Sequence, residues 1–549
     1  MPLQKNQVLT LRVERLSSDG SGVAHSPDGE TVFIPGAAPG DEARVRIVKD
    51  CKRYAFGILD KVLTPSPDRI PVDCAVAGPC GGCSLRHLDY AAELRAKQEN
   101  VADAFARIGG LDVPVLPIVG SPEVNRYRNK VQFPVGVDKS GKPCIGFYAG
   151  RTHRIVPCPD CRLQPGVLNE IGNALCAFFA EKGIQPYSEE SGRGLVRHIF
   201  LRRGAHSGQI MVCLVCTRAK LPSAEELCTR LKAQFAEITT ILLNVNAKNT
   251  NVILGTETHT LYGPGYIEDT LCGVPVQLGP LSFYQVNTLA AEQLYGIAAQ
   301  YAQLTPDDLL LDLYCGMGTI GLSMAAHCRE LIGVEIVPEA IESAKANAAR
   351  MGTDVTAKSR FFCADAGQAA TRLAAEGLHP DIVMLDPPRK GCDEATLSAV
   401  VRMSPRRVVY VSCNPATAAR DAAWLEQNGY HAEKVQPVDL FPRTRHCETV
   451  VLLSKGEVDS KKIRVEFSLE DMDMSEFQDG ATYPQIKEYV LEHTGLKVSN
   501  LYISQIKRKC GIGVGKNYNL PKSEDSRQPQ CPQEKEKAIR EAFKYFGMI

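Results

Sequence analysis

The sequence predicts an α/β protein in which a doubly wound parallel sheet follows a small N-terminal β-barrel. From 271 to 455, apolar strand-like runs alternate with helical patterns, and such alternation requires a parallel sheet covered by helices on both faces. Residues 1–65 instead show short runs of alternating β-branched and polar residues between glycine, proline and aspartate turns. That rhythm is typical of an OB-type barrel.

The 549-residue chain is too long for one hydrophobic core, so several domains are expected. We predict a barrel at 1–65, a central α+β domain at 66–270, the α/β domain at 271–455 and a small helical appendage at 460–549. The chain is 44% hydrophobic and 23% charged, as globular proteins are. No signal-like or 18-residue apolar segment is present, which predicts a cytoplasmic protein without a membrane segment.

Basic and acidic residues balance at 63 each, so no overall positive field attracts nucleic acid. Any such contact must come from local patches. Basic runs occur at 126–130 and 197–203, and a further basic cluster on the barrel comprises Arg44, Arg46, Lys49, Lys52 and Arg53. Each suits phosphate contacts, and Tyr127 suits base stacking, but surface salt bridges are an equally ordinary interpretation.

A glycine-rich turn follows the first strand of the α/β region. Gly316, Gly318 and Gly321 form a G-x-G-x-x-G pattern that opens a helix, and the next strand ends at Glu335. Glycines allow close approach of the backbone to a ligand, and the acid can bind ribose hydroxyls. The pattern indicates a nucleoside-containing cofactor and leaves NAD and S-adenosylmethionine (SAM) open.

Polar side chains also follow the later strands. The third strand ends at Asp365, the fourth at Asp386 in LDPPRKG, and the fifth at Cys413 in YVSCNPAT. Since the carboxyl ends of parallel strands meet at one edge of a sheet, these groups are expected to line one ligand site.

Cys413 has the surroundings of a reactive thiol. Asn414 is a suitable N-cap and Pro415 suits the first helical position, so the positive end of a helix favours the thiolate. Glu448, just before the last strand of the domain, is the candidate base. The alternative for Cys413 is a small buried core residue, and for Glu448 an exposed surface carboxylate.

A thiolate, a methyl donor and a base together match methylation of carbon 5 of uracil. Cys413 would add to carbon 6, carbon 5 would attack the methyl group of SAM, and Glu448 would take the proton before Cys413 is eliminated. The target uracil must leave the stack of RNA bases to be reached. Phe283 or Tyr284 is the candidate to hold the extruded ring.

The chain resembles the RNA (uracil-5-)-methyltransferases over residues 1–455. The resemblance is carried by the motifs FYQVN, DLYCGMG, LDPPRKG, VSCNPAT and HCETV. It implies a SAM-dependent methyltransferase domain and a barrel of the TRAM type. It makes Cys413 the nucleophile and Glu448 the base, with Asp365 a looser match. The SAM contacts that it implies are Gln285, Tyr314, Glu335 and Asp386.

The resemblance also implies RNA as partner, with 23S ribosomal RNA expected and transfer RNA as the alternative. A monomer without an obligate protein partner is expected.

Many members of this family hold a [4Fe–4S] cluster on four cysteines. Here the implied ligands are Cys74, Cys80, Cys83 and Cys161, and four thiolates suit such a cluster. Two zinc knuckles, pairing Cys80 and Cys83 with Cys158 and Cys161, are the competing interpretation, but the gap between the pairs is long for a zinc ribbon.

Three other functions are compatible with parts of the sequence. An amino-methyltransferase would use the Asp-Pro-Pro segment without a cysteine nucleophile, a non-catalytic RNA-binding protein would keep only the fold, and an NAD-dependent oxidoreductase would use the glycine turn. The segment after 460 contains two apolar-periodic helices around a Thr-Gly turn. That pattern fits a helix-turn-helix or a helical hairpin packed on the body.

Overall fold

The structure is a computed structural model that describes residues 3–150, 152–248, 252–456, 483–494, 496, 498–510, 531–546 and 548. The chain separates into two compact units, Met1–Val458 and Asp459–Ile549. Among the described residues, no helix combines the length and apolar character needed to cross a bilayer.

The first five strands close into a barrel in the order β1-β2-β3-β5-β4. Alternate side chains of each strand fill the barrel, including Val13, Val32 and Val45. The strands are β1 (Val8–Leu16), β2 (Ser21–His25), β3 (Thr31–Pro35), β4 (Glu42–Asp50) and β5 (Tyr54–Thr64).

The central region is built on a seven-stranded mixed sheet in the order β12-β11-β10-β9-β6-β7-β8. Its strands are β6 (Lys130–Val137), β7 (Pro143–Tyr148), β8 (Ile155–Pro157), β9 (Val196–Arg203), β10 (Ile210–Cys216), β11 (Ile238–Val245) and β12 (Glu257–Tyr262). The helices are α1 (Ala77–Cys80), α2 (Tyr90–Asp103), α3 (Gly166–Glu181) and α4 (Ala224–Gln234). Helices α3 and α4 cover one face of the sheet with a continuous apolar core.

A hairpin of β13 (Ile267–Leu271) and β14 (Val274–Leu278) leads into the α/β domain. The strands of that domain are β15 (Leu309–Leu313), β16 (Glu330–Glu335), β17 (Ser359–Cys363), β18 (Ile382–Leu385), β19 (Arg407–Ser412), β20 (Tyr430–Val438) and β21 (Glu448–Lys455). The helices are α5 (Thr288–Ala302), α6 (Thr319–Met324), α7 (Pro338–Met351), α8 (Thr353–Lys358), α9 (Ala366–Ala375), α10 (Glu394–Met403) and α11 (Pro415–Gln427).

The order of this sheet is β17-β16-β15-β18-β19-β21-β20, and only β21 runs against its neighbours β19 and β20. Strand β15 is buried along its whole length because helices cover both faces of a parallel sheet. The strand order reverses between β15 and β18, which is where open α/β sheets bind ligands. The predicted parallel α/β domain and N-terminal barrel are therefore confirmed.

A buried ionic network ties α2 to the segment that precedes β21. The Nζ of Lys97 donates to Glu93 Oε1 at 2.7 Å and to Asp439 Oδ1 at 2.8 Å, and all three side chains are almost fully buried. The backbone N–H of Arg443 donates to the same Glu93 oxygen at 2.7 Å. The network fixes the chain a few residues before Glu448.

In the second unit, the described residues form α12 (Tyr483–Thr494), α13 (Asn500–Lys509) and α14 (Gln533–Tyr545). The three helices share an apolar core that includes Ile486, Ile503 and Phe543. The sequence patterns around the Thr-Gly turn thus correspond to α12 and α13. A third helix, α14, packs with them.

Candidate active site

Cys413 and Glu448 lie at the same end of two adjacent antiparallel strands. Ser412, the last residue of β19, pairs with Thr449 in β21, and the Thr449 hydroxyl donates to the Ser412 carbonyl at 3.3 Å. Cys413 follows Ser412 and Glu448 precedes Thr449, so the strand register brings thiol and carboxyl together. Cys413 is partly exposed whereas Glu448 is buried.

The turn that carries Cys413 is fastened to the LDPPRKG loop. Asn414 caps α11 by accepting from the N–H of Ala416 at 3.2 Å, and its Nδ2 donates to the Arg389 carbonyl at 3.0 Å. Asp421 of α11 accepts from the N–H of Cys392 at 2.8 Å. The predicted cap is therefore present, and it also fixes the position of the Asp386–Arg389 segment.

Burial sets the protonation of this group of side chains. It raises the pKa of Glu448 to about 8, with a further contribution from Asp386 and an opposing one from Arg389. It also raises the pKa of Asp386 to about 7. Burial raises the pKa of the Cys413 thiol, Glu448 raises it further, and the Arg389 guanidinium opposes both effects. The net effect is a raised pKa, contrary to the sequence expectation that the start of α11 favours the thiolate, and Arg389 is the cation that opposes the rise.

The glycine turn forms the other side of the site. Tyr314 adopts a left-handed φ of 65°, and Gly316 and Gly318 also have positive φ, so the backbone turns sharply after β15. Glu335 accepts from the N–H of Gly316 at 3.2 Å and from that of Val337 at 3.0 Å. These bonds hold its carboxylate at the carboxyl end of β16, where a ribose would be bound.

The residues predicted for catalysis and for SAM binding, together with Asp365, all line one cavity of about 1330 Å³, whereas the four predicted cluster cysteines lie outside it. Those that line it are Gln285, Tyr314, Glu335, Asp365, Asp386, Cys413 and Glu448. The sequence prediction that the strand ends converge is therefore met in the geometry, while the role of each residue stays a prediction.

Side chains of both charges line this cavity. Carboxylates lie at the carboxyl ends of β16, β17 and β18 and at the starts of α7, α10 and β21, and cations come from the start of β6, the residues just before it and the LDPPRKG loop, which also carries Asp386. The acidic lining residues are Glu335, Glu339, Asp365, Asp386, Asp393 and Glu448, and the lysines and arginines are Arg128, Lys130, Arg389 and Lys390. A cationic sulfonium cofactor suits the first group and a phosphate-bearing substrate suits the second.

The two aromatic candidates differ in exposure. Phe283 is 72% exposed and lines the cavity, so its ring is available to a base. Tyr284 is buried, and its hydroxyl donates to Asp269 Oδ2 at 3.0 Å. Tyr284 therefore supports the fold, and Phe283 is the better candidate for stacking.

Several basic-run residues serve the fold instead of an exposed RNA surface. Tyr127 is buried and donates to the Pro442 carbonyl at 3.0 Å, so it is not free to stack on a base. Arg126 donates to the Cys161 carbonyl at 2.9 Å. Arg202 is buried and donates to the carbonyls of Gly279 and Ser282, each at 2.7 Å. The salt-bridge interpretation holds for Arg126, which also pairs with Asp160 at 2.6 Å, whereas Tyr127 and Arg202 donate to backbone carbonyls.

The cysteines of the central region lie near one another without forming a metal site. Burial raises the pKa of Cys80, and the neighbouring thiols of Cys161 and Cys74 raise it further. Burial likewise raises the pKa of Cys83. Within the described ranges, no three His, Cys, Asp or Glu side chains are arranged to hold a metal ion. Thiols can influence one another electrostatically over distances longer than a coordination bond, so the two observations are compatible.

Three residues of the site were not predicted from the sequence. Arg389 was visible in LDPPRKG, but only the structure shows its effect on the pKa of Cys413. His446 lies two residues before Glu448 and lines the cavity, where burial lowers its pKa to about 4. Tyr295 reaches the cavity from α5, and nothing in its sequence neighbourhood distinguishes it from a core residue.

Comparisons with known proteins agree with this geometry. Residues 207–456 match the tRNA (uracil-5-)-methyltransferase family and residues 2–59 match the TRAM domain. An uncharacterized RNA methyltransferase of Halalkalibacterium halodurans is 43% identical over 453 residues, which cover 82% of this chain and 98% of the relative. One from Bacillus cereus is 42% identical over 457 residues, covering 83% and 98%.

A solved structure is also similar. The Pyrococcus abyssi tRNA (uracil-54, C5)-methyltransferase, in complex with S-adenosyl-L-homocysteine, superposes with a TM-score of 0.65 at 27% identity. The match covers 81% of this chain and all of that one.

Fold and site together define a SAM-dependent methyltransferase with an N-terminal TRAM domain. More narrowly, the extent of the matches shows that the chain belongs to the RNA (uracil-5-)-methyltransferase family. The resemblance seen in the sequence motifs is thereby confirmed.

Proposed function

We propose that this protein methylates carbon 5 of a specific uridine in 23S ribosomal RNA through a covalent adduct of Cys413. The observation that carries the proposal is the juxtaposition of Cys413 and Glu448 at one end of β19 and β21. Both line the same cavity as Gln285, Tyr314 and Glu335, which we assign to SAM.

The reaction begins when the Cys413 thiolate, favoured by Arg389, adds to carbon 6 of the uracil ring. The electrons move to an enolate whose carbon 5 attacks the methyl group of SAM, and S-adenosylhomocysteine leaves. Glu448 then removes the proton from carbon 5, and elimination breaks the carbon–sulfur bond. Each step uses groups that line one cavity.

The reaction also requires the uridine to leave the RNA stack. Phe283 presents its exposed ring at the mouth of the cavity and is assigned to stack on the extruded base or its neighbour. Asp386, whose pKa is raised to about 7 by burial, lines the same cavity and is close enough to Cys413 to raise the pKa of its thiol. It is assigned to contact the methyl donor.

The decisive test uses RNA that contains 5-fluorouridine. Fluorine at carbon 5 cannot be removed as a proton, so the adduct should persist and join RNA to the wild-type protein on a denaturing gel. Cys413→Ala should give neither adduct nor methyl transfer, whereas Cys363→Ala, at an exposed cysteine, should give both. Methylation that survives Cys413→Ala would indicate an amino-methyltransferase, and the absence of any turnover would indicate a non-catalytic RNA-binding protein.

Transfer RNA is the second candidate substrate. The similar Pyrococcus abyssi enzyme acts on uracil 54 of tRNA, and its match over 81% of this chain extends well beyond the α/β domain. Shared architecture of that extent does not distinguish the two substrates. Mass mapping of methyluridine in ribosomal and transfer RNA, from strains with and without the gene, separates them directly.

A [4Fe–4S] cluster on Cys74, Cys80, Cys83 and Cys161 is a further part of the proposal. Its support is the donor type and the proximity of the thiols, although their present arrangement does not form a site and no reaction step depends on it. Iron and sulfide analysis of anaerobically purified protein tests it, with Cys83→Ser expected to lose the iron. Bound zinc without iron would favour the knuckle interpretation.

A further inference from the structure

The cavity extends beyond Cys413 onto one face of the central sheet. Lys130 pairs with Arg202 across β6 and β9, while Leu242 pairs with Thr260 and Asn244 with Thr258 across β11 and β12. Side chains alternate along each strand, and the intervening residues Val131, Leu201 and Leu243 belong to the core under α3 and α4. The opposite face lines the cavity at two places, at Lys130 on β6 and along β11 and β12, whereas Phe200, Met211 and Cys213 of the strands between them pack into an apolar core. These two places form a floor of the cavity.

This floor carries positive charge. Burial lowers the pKa of Lys130 to about 8, and the adjacent Arg202 and Arg128 lower it further. In the part of the chain that the structure describes, none of these three cations forms an ion pair. The buried Nε of Arg128 also has no hydrogen-bond partner there. An anionic ligand would relieve the repulsion.

Hydroxyl groups line the outer edge of the same floor. Three threonines at alternate positions line the cavity: Thr256, directly before the edge strand β12, and Thr258 and Thr260 within it. Thr258 Oγ1 accepts from Asn244 Nδ2 at 2.9 Å, which leaves its own O–H to donate. Glu257 and His259, which bond to each other at 2.6 Å, occupy the other face of the strand.

The cavity is also larger than one ligand requires. Its volume of about 1330 Å³ exceeds the roughly 300–1,000 Å³ of typical small-molecule sites. The residues assigned to SAM and to the target base account for the end beside the glycine turn and Cys413. Neither SAM nor the target base accounts for the floor formed by the central sheet.

We propose that this region, the sheet lobe formed by Arg128, Lys130, Thr256, Thr258 and Thr260, binds the sugar–phosphate backbone of the nucleotides next to the extruded uridine. Arg128 and Lys130 contact phosphates, and the threonines contact 2′-hydroxyls, which distinguish RNA from DNA. The inference rests on the proposed function and adds to it how the flanking strand is held.

The first test removes the charge of Lys130 while keeping its length. Lys130→Met should weaken binding of a short single-stranded RNA that contains the target by about tenfold. It should also reduce the slope of log affinity against log salt by about 0.7, as loss of one phosphate contact predicts. Lys139→Met, at an exposed lysine outside the cavity, is the matched control and should change neither quantity.

SAM affinity of each variant verifies that the α/β domain is intact. A Lys130→Met protein with wild-type affinity and wild-type salt slope would overturn the assignment of Lys130. In that case wild-type protein would still form the 5-fluorouridine adduct, whereas failure of the proposed function would abolish that adduct in the wild type. The two failures are therefore distinguishable.

The second test examines the threonines with a double-mutant cycle. Replacing the ribose beside the target by deoxyribose should weaken wild-type binding several-fold but have little further effect on Thr258→Val/Thr260→Val, since valine keeps the β-branched shape without the hydroxyl. Glu257→Gln, on the opposite face of β12, should respond to deoxyribose as the wild type does. An equal loss in wild type and double variant would overturn the hydroxyl contact.

Discussion

After burial, the carboxyl group of Glu448 is the strongest influence that raises the pKa of the Cys413 thiol. The influence follows from the register of β19 and β21, which places the two side chains at the same strand end. A base held beside its nucleophile by backbone pairing can act on the ring carbon adjacent to the one that the thiol attacks. The proposed attack at carbon 6 and proton removal at the adjacent carbon 5 require such a placement of the two groups.

Glu448→Gln should stop the reaction after methyl transfer. Without the base, carbon 5 keeps its proton, so methylated RNA stays attached to Cys413 and turnover falls by about 10²-fold or more. Denaturing electrophoresis with radiolabelled SAM should show label on a protein–RNA adduct. Glu433→Gln, at an exposed carboxylate on β20, is the control and should turn over normally. Normal turnover by Glu448→Gln would contradict the assigned role.

Proton removal by Glu448 and adduct formation by Cys413 should depend differently on pH. The Glu448 pKa of about 8 means that the carboxylate fraction, and with it proton removal, rises most steeply near pH 8 and levels off only above that value. Adduct formation with 5-fluorouridine needs no such proton removal and follows the thiol of Cys413 alone. Rapid-quench rates of both reactions, measured from pH 6 to 9, check the difference. A product-release rate that is flat across this range would contradict the role of Glu448.

The same carboxyl group should make the fold less stable as pH rises. Its pKa is raised from 4.5 in the unfolded chain to about 8 in the folded state, so the folded state binds the extra proton between these values. Stability is then highest below pH 4.5 as far as this group is concerned, and falls as pH rises toward 8. Urea unfolding should show a weaker pH dependence in Glu448→Gln than in wild type. An identical pH dependence of the unfolding free energy in both proteins would show that the Glu448 carboxyl group is not buried as described.

Glu335→Gln should weaken cofactor binding more than chemistry. Its carboxylate is held by the N–H groups of Gly316 and Val337 at the place where the ribose hydroxyls of SAM are expected. The KM for SAM should rise by about tenfold, with kcat at saturating SAM changed much less. Glu342→Gln, on the exposed face of α7, should leave both parameters unchanged. An unchanged KM in Glu335→Gln would remove Glu335 from the SAM site.

The features that could be predicted from the sequence are those that depend on residues close together in the chain. Strand ends, the glycine turn and the cap formed by Asn414 all depend on residues close together in the chain, and Cys413 and Glu448 were found from such patterns. The basic runs were harder, because Tyr127 and Arg202 are buried by contacts with Pro442 and Gly279, far along the chain. The sheet lobe depends on the pairing of β6, β9, β11 and β12, which no local pattern discloses.

Lys97→Met tests how strongly the segment before Glu448 is held. The substitution leaves the carboxylates of Glu93 and Asp439 buried without their cation. Breaking such a buried arrangement costs about 3–5 kcal/mol. Lys345→Met, which removes an exposed pair with Glu342, should cost less than about 1 kcal/mol. Urea unfolding of the two variants measures the difference. A cost for Lys97→Met no larger than for Lys345→Met would show that the loop is held by other contacts, such as the bond from Tyr127 to Pro442.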